Sequence, residues 1–335
     1  METFADHAAF LHREANTLAL QRRFEHRLME QHRGEFIVEG RCWVCDGERG
    51  FLVDYLHADE QTPDGRPVPN WRERLVCPRC GLNNRLRATV HLIESIGGLT
   101  RDSALYVTEQ IGPIYTCFAR RFLACSGSEW LADGTAPGCG NAQGIRHEDV
   151  TALTFDNASF DAVISLDVFE HVPDFQAGFA ECHRVLKPYG KLFVTVPFRC
   201  DWERNLVRAR VRADGSIEHL LEPEYHGNPT ALAGILAYYR FGWQVLDQMR
   251  GAGFGRATAY LYWSRDWGYL GESQTLLVAE KHRSRGAPRH LRAAYDKTLR
   301  RAWRRLNRTL LVRRLPRAPL DAGEEAAGST PRLFL

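Results

Sequence analysis

Between Phe160 and Val196 the apolar residues change period twice. Phe160, Val163, Ile164 and Leu166 make a short apolar run of the kind a strand buried on both faces shows, and it stops at Asp167, Glu170 and His171. Those polar side chains stand where a buried strand surfaces. Asp174, after Pro173, supplies an N-cap, and Phe175, Phe179, Cys182 and Leu186 then recur at helical spacing until Lys187, Pro188 and Gly190. Leu192, Val194 and Val196 restore the strand pattern. The unit is βαβ, which in one sheet implies parallel strands and a right-handed crossover.

The same reading predicts a helix from Phe4 to Gln31, carried by Phe4, Ala8, Leu11, Ala15 and Leu18, and a second from Leu82 to Ser95. Ala104 to Val107 and Phe122 to Ser126 read as strands. Val207, Ala209 and Val211 alternate toward Asp214-Gly215 and Ile217, His219 and Leu221 alternate away, as in a hairpin. Ala231 to Arg240 and Gly242 to Arg250 read as helices, and Ala257 to Trp263 and Gln274 to Ala279 as two last strands. From His290 onward Leu291, Tyr295, Leu299, Ala302, Leu306 and Leu310 form an apolar stripe in an Arg-filled helix.

A chain of 335 residues with 44% hydrophobic content has room for one full α/β core and appendages. No apolar run reaches the ~18 residues of a membrane span, and METFADHAAF lacks the apolar centre of a signal peptide, so a soluble cytoplasmic protein is expected. The net charge of +3 hides an asymmetry: Lys281 to Pro319 holds 14 Lys/Arg against one acid, Asp296, so the remainder is acidic. Residues 290–317 are therefore expected to meet an anionic lipid surface, which would place the protein peripherally on a membrane, or an acidic protein surface. Nucleic acid is the weaker alternative.

Four of the nine cysteines fall in a C-x2-C-x31-C-x2-C array, Cys42, Cys45, Cys77 and Cys80, the second pair reading CPRCG. Two such turns can close four thiolates into a tetrahedron, and the spacing points to structural zinc. The other five cysteines are scattered, as suits a reducing compartment. Arg85 and Arg87, after the second turn, either reach a substrate anion or bridge this module to the core.

The runs FDAVISLDVFEHV and RVLKPYGKLFVTVPF resemble the class I S-adenosylmethionine-dependent methyltransferases, in the branch called methyltransferase type 11, over roughly Ala104 to Lys281. The resemblance implies a Rossmann-like seven-stranded α/β sheet with an antiparallel final strand. To this the chain adds an N-terminal helix (1–35), a zinc module (36–98) and a basic C-terminal helix (283–335), leaving 99–282 as the catalytic domain with an acceptor-recognition insertion at 199–240. It further implies donor contacts at Tyr106, Thr108, Glu109, Gly112, Glu129, Asp149, Val150 and Asp167. The family's glycine-rich loop stands here as Thr108-Glu109-Gln110-Ile111-Gly112, with only Gly112 kept. Glu129 falls where a carboxylate takes the ribose hydroxyls, and Asp149 where one takes the adenine amino group.

His171, His219 and His226 are the candidate bases for taking a proton from an acceptor hydroxyl, the last two in the acid- and histidine-dense EHLLEPEYHG run. Asp167, Glu170 and His171 also resemble a magnesium-holding set of ubiquinone-type O-methyltransferases. Trp263, Arg265, Trp267 and Tyr269 either stack on an acceptor or plug the sheet edge. The reading that results is O-methylation of a small-molecule or glycan acceptor. Its rivals are a zinc-containing RNA methyltransferase and an inactive scaffold of the same fold.

Overall fold

The computed structural model describes residues 1–282 other than 13, 14, 33, 57, 59, 229 and 230. The basic helix expected from His290 onward, and with it the partner surface at 290–317, lies outside the described residues.

One seven-stranded sheet runs in the order Glu2–Phe4, Arg256–Ser264, Tyr269–Glu280, Leu186–Thr195, Phe160–Leu166, Ala104–Val107, Ala124–Gly127. The last four are mutually parallel. Tyr269–Glu280 runs antiparallel both to Leu186–Thr195 and to Arg256–Ser264. The α/β sheet with an antiparallel closing hairpin is thus present, with one substitution. Among the described residues no further strand pairs beyond Ala124–Gly127; the chain near His147 makes an isolated parallel bridge to Glu129. The seventh place is taken at the opposite edge by Glu2–Phe4, paired with Ala259–Leu261.

That pairing corrects the helix expected from Phe4. The edge of Arg256–Ser264 offers unpaired backbone groups that a short extended segment can satisfy. Helices follow at His7–Leu11, capped by Asp6 through Ala9 N at 2.8 Å, and at Ala15–Gln31. The second correction is at Ala231–Leu236, read as helix but found as a strand against Tyr225–Asn228. Gly234, at φ +75°, sits where an added Cβ would come within 2.6 Å of the His226 carbonyl, so the backbone there is left-handed and closely approached. The helices at Asn84–Ile96, Phe175–Val185 and Gln244–Gly251 and the hairpin Ala209–Val211/Ile217–His219 follow the sequence pattern. No described helix is long and apolar enough to cross a membrane.

Two apolar cores flank the sheet. One joins Phe51, Trp43 and Leu75 of the cysteine-bearing segment to Leu105, Ile164 and Phe193 of the strands. The other packs Phe175, Phe179 and Leu246 against the opposite face. The aromatic loop before Tyr269–Glu280 is used inside the first: Trp43 stacks on His91 at 3.9 Å, Trp267 meets both, and Trp263 Nε1 donates to buried Glu25. Of the two readings of that loop, the plug is the one built.

Candidate functional site

The chain leaves Ala104–Val107 toward Ala124–Gly127 on one side and later returns to Phe160–Leu166 on the other. The strand order reverses between these neighbours, and in open α/β sheets the crevice at the carboxyl ends of such strands is where ligands bind. Thr108 to Gly112 and Asp167 to His171 emerge there.

Asp167 stands at φ +52°, a left-handed conformation that aspartate tolerates better than most residues. Arg72 Nη2 donates to its Oδ1 at 2.6 Å, Thr195 Oγ1 donates to the same oxygen at 2.9 Å, and Arg85 lies 3.4 Å from Oδ2. Arg85 in turn donates to Glu73 at 2.9 and 3.1 Å, and Asn83 adds a third bond to Glu73 at 2.8 Å. Burial would raise the Asp167 carboxyl, but the two guanidinium groups outweigh it and hold it well below the usual carboxylate range. Arg85 is therefore a bridge between module and core. Arg87 is another: fully buried, it lies 3.6 Å over the Phe51 ring and donates to the carbonyls of Trp267, Leu75 and Gly268. Arg72 and Glu73 escaped the sequence reading, since the only signal was charge density in WRER among loop residues.

The donor residues expected from the sequence divide into two groups. Glu129 Oε1 accepts from the amides of Gln110 and Ile111 at 2.8 and 2.9 Å, fastening the end of its strand to the loop. Burial pushes the Glu109 carboxyl up to about 7, with Arg85 opposing the rise and Glu129 and Asp167 adding to it. Its side chain lies across Gly112, where a Cβ would meet Oε1 at 2.0 Å. Asp149 forms an Asx turn to Thr151 at 2.8 Å, and Val150 is buried against the helix bearing Gly178. Tyr106, by contrast, is a core residue whose hydroxyl bonds Ser128 Oγ at 2.8 Å, and Thr108 is tied to the neighbouring strand through Ile164 and Ser165. Trp130, unnoticed in the sequence, stands 61% exposed directly after Glu129.

One turn beyond Asp167 the chemistry changes. Glu170 is fully buried, and neither carboxylate oxygen has a hydrogen-bond partner. Its Oε1 lies 3.8 Å from His171 Nε2 and 3.7 Å from His226 Nδ1. Burial raises its carboxyl. The 199–240 segment is pinned to this turn: His171 Nδ1 meets the Leu236 carbonyl at 3.0 Å, Tyr238 N donates to the Glu170 carbonyl at 2.7 Å, and Tyr239 hydroxyl donates to the Pro173 carbonyl. His226, half-buried, meets Glu224 Oε1 at 3.1 Å, and Arg240 and Arg208 hold the other Glu224 oxygen. The magnesium set Asp167, Glu170 and His171 is not brought together, because Asp167 is turned to the two arginines. His219 stays exposed on its hairpin opposite Ala209, outside the cluster.

The four array cysteines converge as their spacing requires. Cys42 and Cys80 sulfurs are 3.9 Å apart, Cys45 and Cys77 3.8 Å, and Gly81 at φ +71° lets its amide turn back to the Cys77 carbonyl at 2.9 Å. A tetrahedron with metal–sulfur bonds of about 2.3 Å has edges of about 3.8 Å, so the arrangement fits a four-thiolate ion.

Residues 129–194 match the family model described as a methyltransferase domain. A probable S-adenosylmethionine-dependent methyltransferase of Mycolicibacterium smegmatis is 40% identical over 55 residues, 16% of this chain and 21% of that protein. The chain thus spans about a fifth of the length of that relative. Among solved structures, a methyltransferase of Mesorhizobium loti described as S-adenosylmethionine dependent is 16% identical, covering 59% of this chain and 98% of that one at TM-score 0.36. The Burkholderia thailandensis 1,6-didemethyltoxoflavin-N1-methyltransferase is 16% identical over 58% and 77%, at TM-score 0.35.

Proposed function

We propose that the chain is an S-adenosylmethionine-dependent methyltransferase, with its donor at the switch point and a small-molecule or glycan acceptor entering beside the 199–240 segment. The observation that carries the reading is where the family match falls. It opens on Glu129, takes in Asp149, and runs through the βαβ unit as far as Val194, on a sheet whose strand order reverses between Ala104–Val107 and its neighbours, as the proposed donor site requires. The residues suit the donor's parts. Glu129 keeps Oε2 for a pair of hydroxyls, and exposed Trp130 beside it offers a face to a flat base. Arg72 and Arg85 against Glu109 and Asp167 form a mixed-charge wall that an amino-acid zwitterion complements.

The donor supplies an activated methyl on sulfonium, so the chain's task is to orient the acceptor and exclude water. For a hydroxyl acceptor a base is also needed. His171 donates its Nδ1 proton to the Leu236 carbonyl, which leaves Nε2 as a lone pair facing Glu170 and fit to accept one. That arrangement supports O-methylation as the proposed reaction. Zinc at Cys42, Cys45, Cys77 and Cys80 has no open position and acts structurally, fixing the segment that carries Arg72 and Arg85. The rival RNA reading loses Arg72, Arg85 and Arg87, which are engaged internally, and keeps Arg79, exposed between Cys77 and Cys80. Residues 290–317 remain proposed as a peripheral contact to anionic lipid or an acidic protein.

The test is calorimetric titration of the zinc-loaded full chain with S-adenosylhomocysteine. Saturable binding is expected, lost in Glu129→Ala and in Asp149→Ala. Folded, zinc-loaded protein that takes up no ligand would remove the reading.

A further inference from the structure

We infer that Glu170, His171 and His226 form a second metal site, for a first-row divalent transition ion, independent of the four cysteines and of donor binding; with the ion bound, His171 Nε2 is a ligand and the task of activating an acceptor hydroxyl passes to the open position on the ion. Three observations meet here. First, Glu170 is a fully buried carboxylate with no hydrogen-bond partner on either oxygen, and buried acids of that kind otherwise pair or coordinate a cation. Second, two imidazoles beside it present one nitrogen each, at 3.8 Å for His171 Nε2 and 3.7 Å for His226 Nδ1. Those gaps are too long for hydrogen bonds. They are within a few tenths of an ångström of the ~3.4 Å that separates two ligands each bound at about 2.1 Å to one tetrahedral ion.

Third, the nitrogens that face away are both already spoken for. His171 Nδ1 donates to the Leu236 carbonyl at 3.0 Å, and His226 Nε2 donates to Glu224 Oε1 at 3.1 Å, itself held by Arg240 at 2.9 Å. A carbonyl and a carboxylate behind the two rings accept their outer protons, so that each ring in its neutral form turns a lone pair toward Glu170, which is the outer-shell arrangement of metal-binding histidines. The rings stand nearly perpendicular, 84° apart, and one ligand atom from each of Glu170, His171 and His226 lies within 4.8 Å of the others.

Two imidazoles and one carboxylate favour zinc, iron(II) or cobalt(II) over magnesium, which prefers oxygen ligands. The ligand set differs from Asp167, Glu170 and His171: Asp167 is consumed by arginines, and His226 arrives from the 199–240 segment. Three protein ligands leave at least one position open, through which the ion could lower the pKa of a bound hydroxyl.

The full chain, brought to one zinc per chain at the cysteines by elemental analysis, is titrated with cobalt(II) by calorimetry and absorption. One further equivalent should bind, with ligand-field bands and no new thiolate charge-transfer absorption. Binding should weaken more than a hundredfold in His226→Ala and in Glu170→Gln. In Glu224→Gln, which keeps every ligand but weakens the acceptor behind His226, the loss should be about 10–100-fold. Should Glu170→Gln fail to fold, His226→Ala, on a half-exposed strand, decides alone. The inference is overturned if the wild-type chain takes up no second equivalent, as when a protonated His226 simply pairs with Glu170, or if uptake is undiminished in the folded variants. Because S-adenosylhomocysteine takes no part, failure here is distinct from failure of the donor reading.

Discussion

Asp167 and Glu170 leave the same strand three residues apart, and the fold treats the two acids in opposite ways. Asp167 has two arginines, a threonine hydroxyl and, through Arg85, a second carboxylate with its own partners. Glu170 is more deeply buried and has two imidazole nitrogens beyond hydrogen-bonding distance. A buried charge removed from water needs compensation by geometry as good as the solvent it lost. Asp167 finds it inside the chain and serves as a clamp between the cysteine module and the sheet. Glu170 does not, and the difference marks it as a group kept for something the chain does not itself contain.

The comparison breaks most completely if the module is released. Arg72 and Arg85 flank Cys77 and Cys80, so on the proposed zinc reading Cys77→Ser should cost the ion and much of the module's order, structural zinc being worth on the order of 10 kcal/mol in isolated peptides. Asp167 would then be an uncompensated acid like its neighbour. Elemental analysis together with hydrogen exchange across 36–98 checks this; a variant with full protection there would show that the arginines hold without the ion.

Next in size is Asp167→Ala, which leaves Arg72 and Arg85 facing one acid fewer. Removing one partner of a buried pair costs about 3–5 kcal/mol, and with these side chains a fifth to a third exposed for Asp167 and Arg72 the lower end, about 3 kcal/mol, is expected in denaturant unfolding. The acid response carries the same signature. A depressed carboxylate contributes stability that is complete above the unfolded value near 3.9 and is lost as pH falls through the folded one. Asp167→Asn should therefore lose less stability than the wild type on going from pH 5 downward, and parallel curves would deny Asp167 its clamp.

What the sequence made legible follows the range of the forces involved. The βαβ unit is written in local periodicity, and the cysteine array in spacing alone, so both could be read. The edge strand Glu2–Phe4 and the strand Ala231–Leu236 could not, because each is decided by a partner far along the chain, and in the second case by the left-handed Gly234. The same limit governs the site. His171 and Glu170 stood out beside a strand end, but the inclusion of His226 and exclusion of His219 depend on how the 199–240 segment lies over that turn. Tyr106 was assigned to the donor by its place in a motif, while its ring packs on Phe160 and Phe155 in the core. Arg72 and Glu73 acquire meaning only when the module is docked.

The smallest effect is the most discriminating. Glu170→Gln keeps the shape of the side chain, removes an unpartnered charge, and gives an amide whose hydrogens can turn toward the two lone pairs at His171 and His226. With only the cysteine site filled, stability should stay level or rise by about 1 kcal/mol, the scale of relieving one buried unsatisfied group. A loss of several kcal/mol would make Glu170 a structural acid of the Asp167 kind and dissolve the contrast. A gain, coupled with loss of cobalt uptake, would show that the wild-type residue costs the fold stability and is kept for a bound ion, since a side chain maintained only for folding would not be improved by losing its charge.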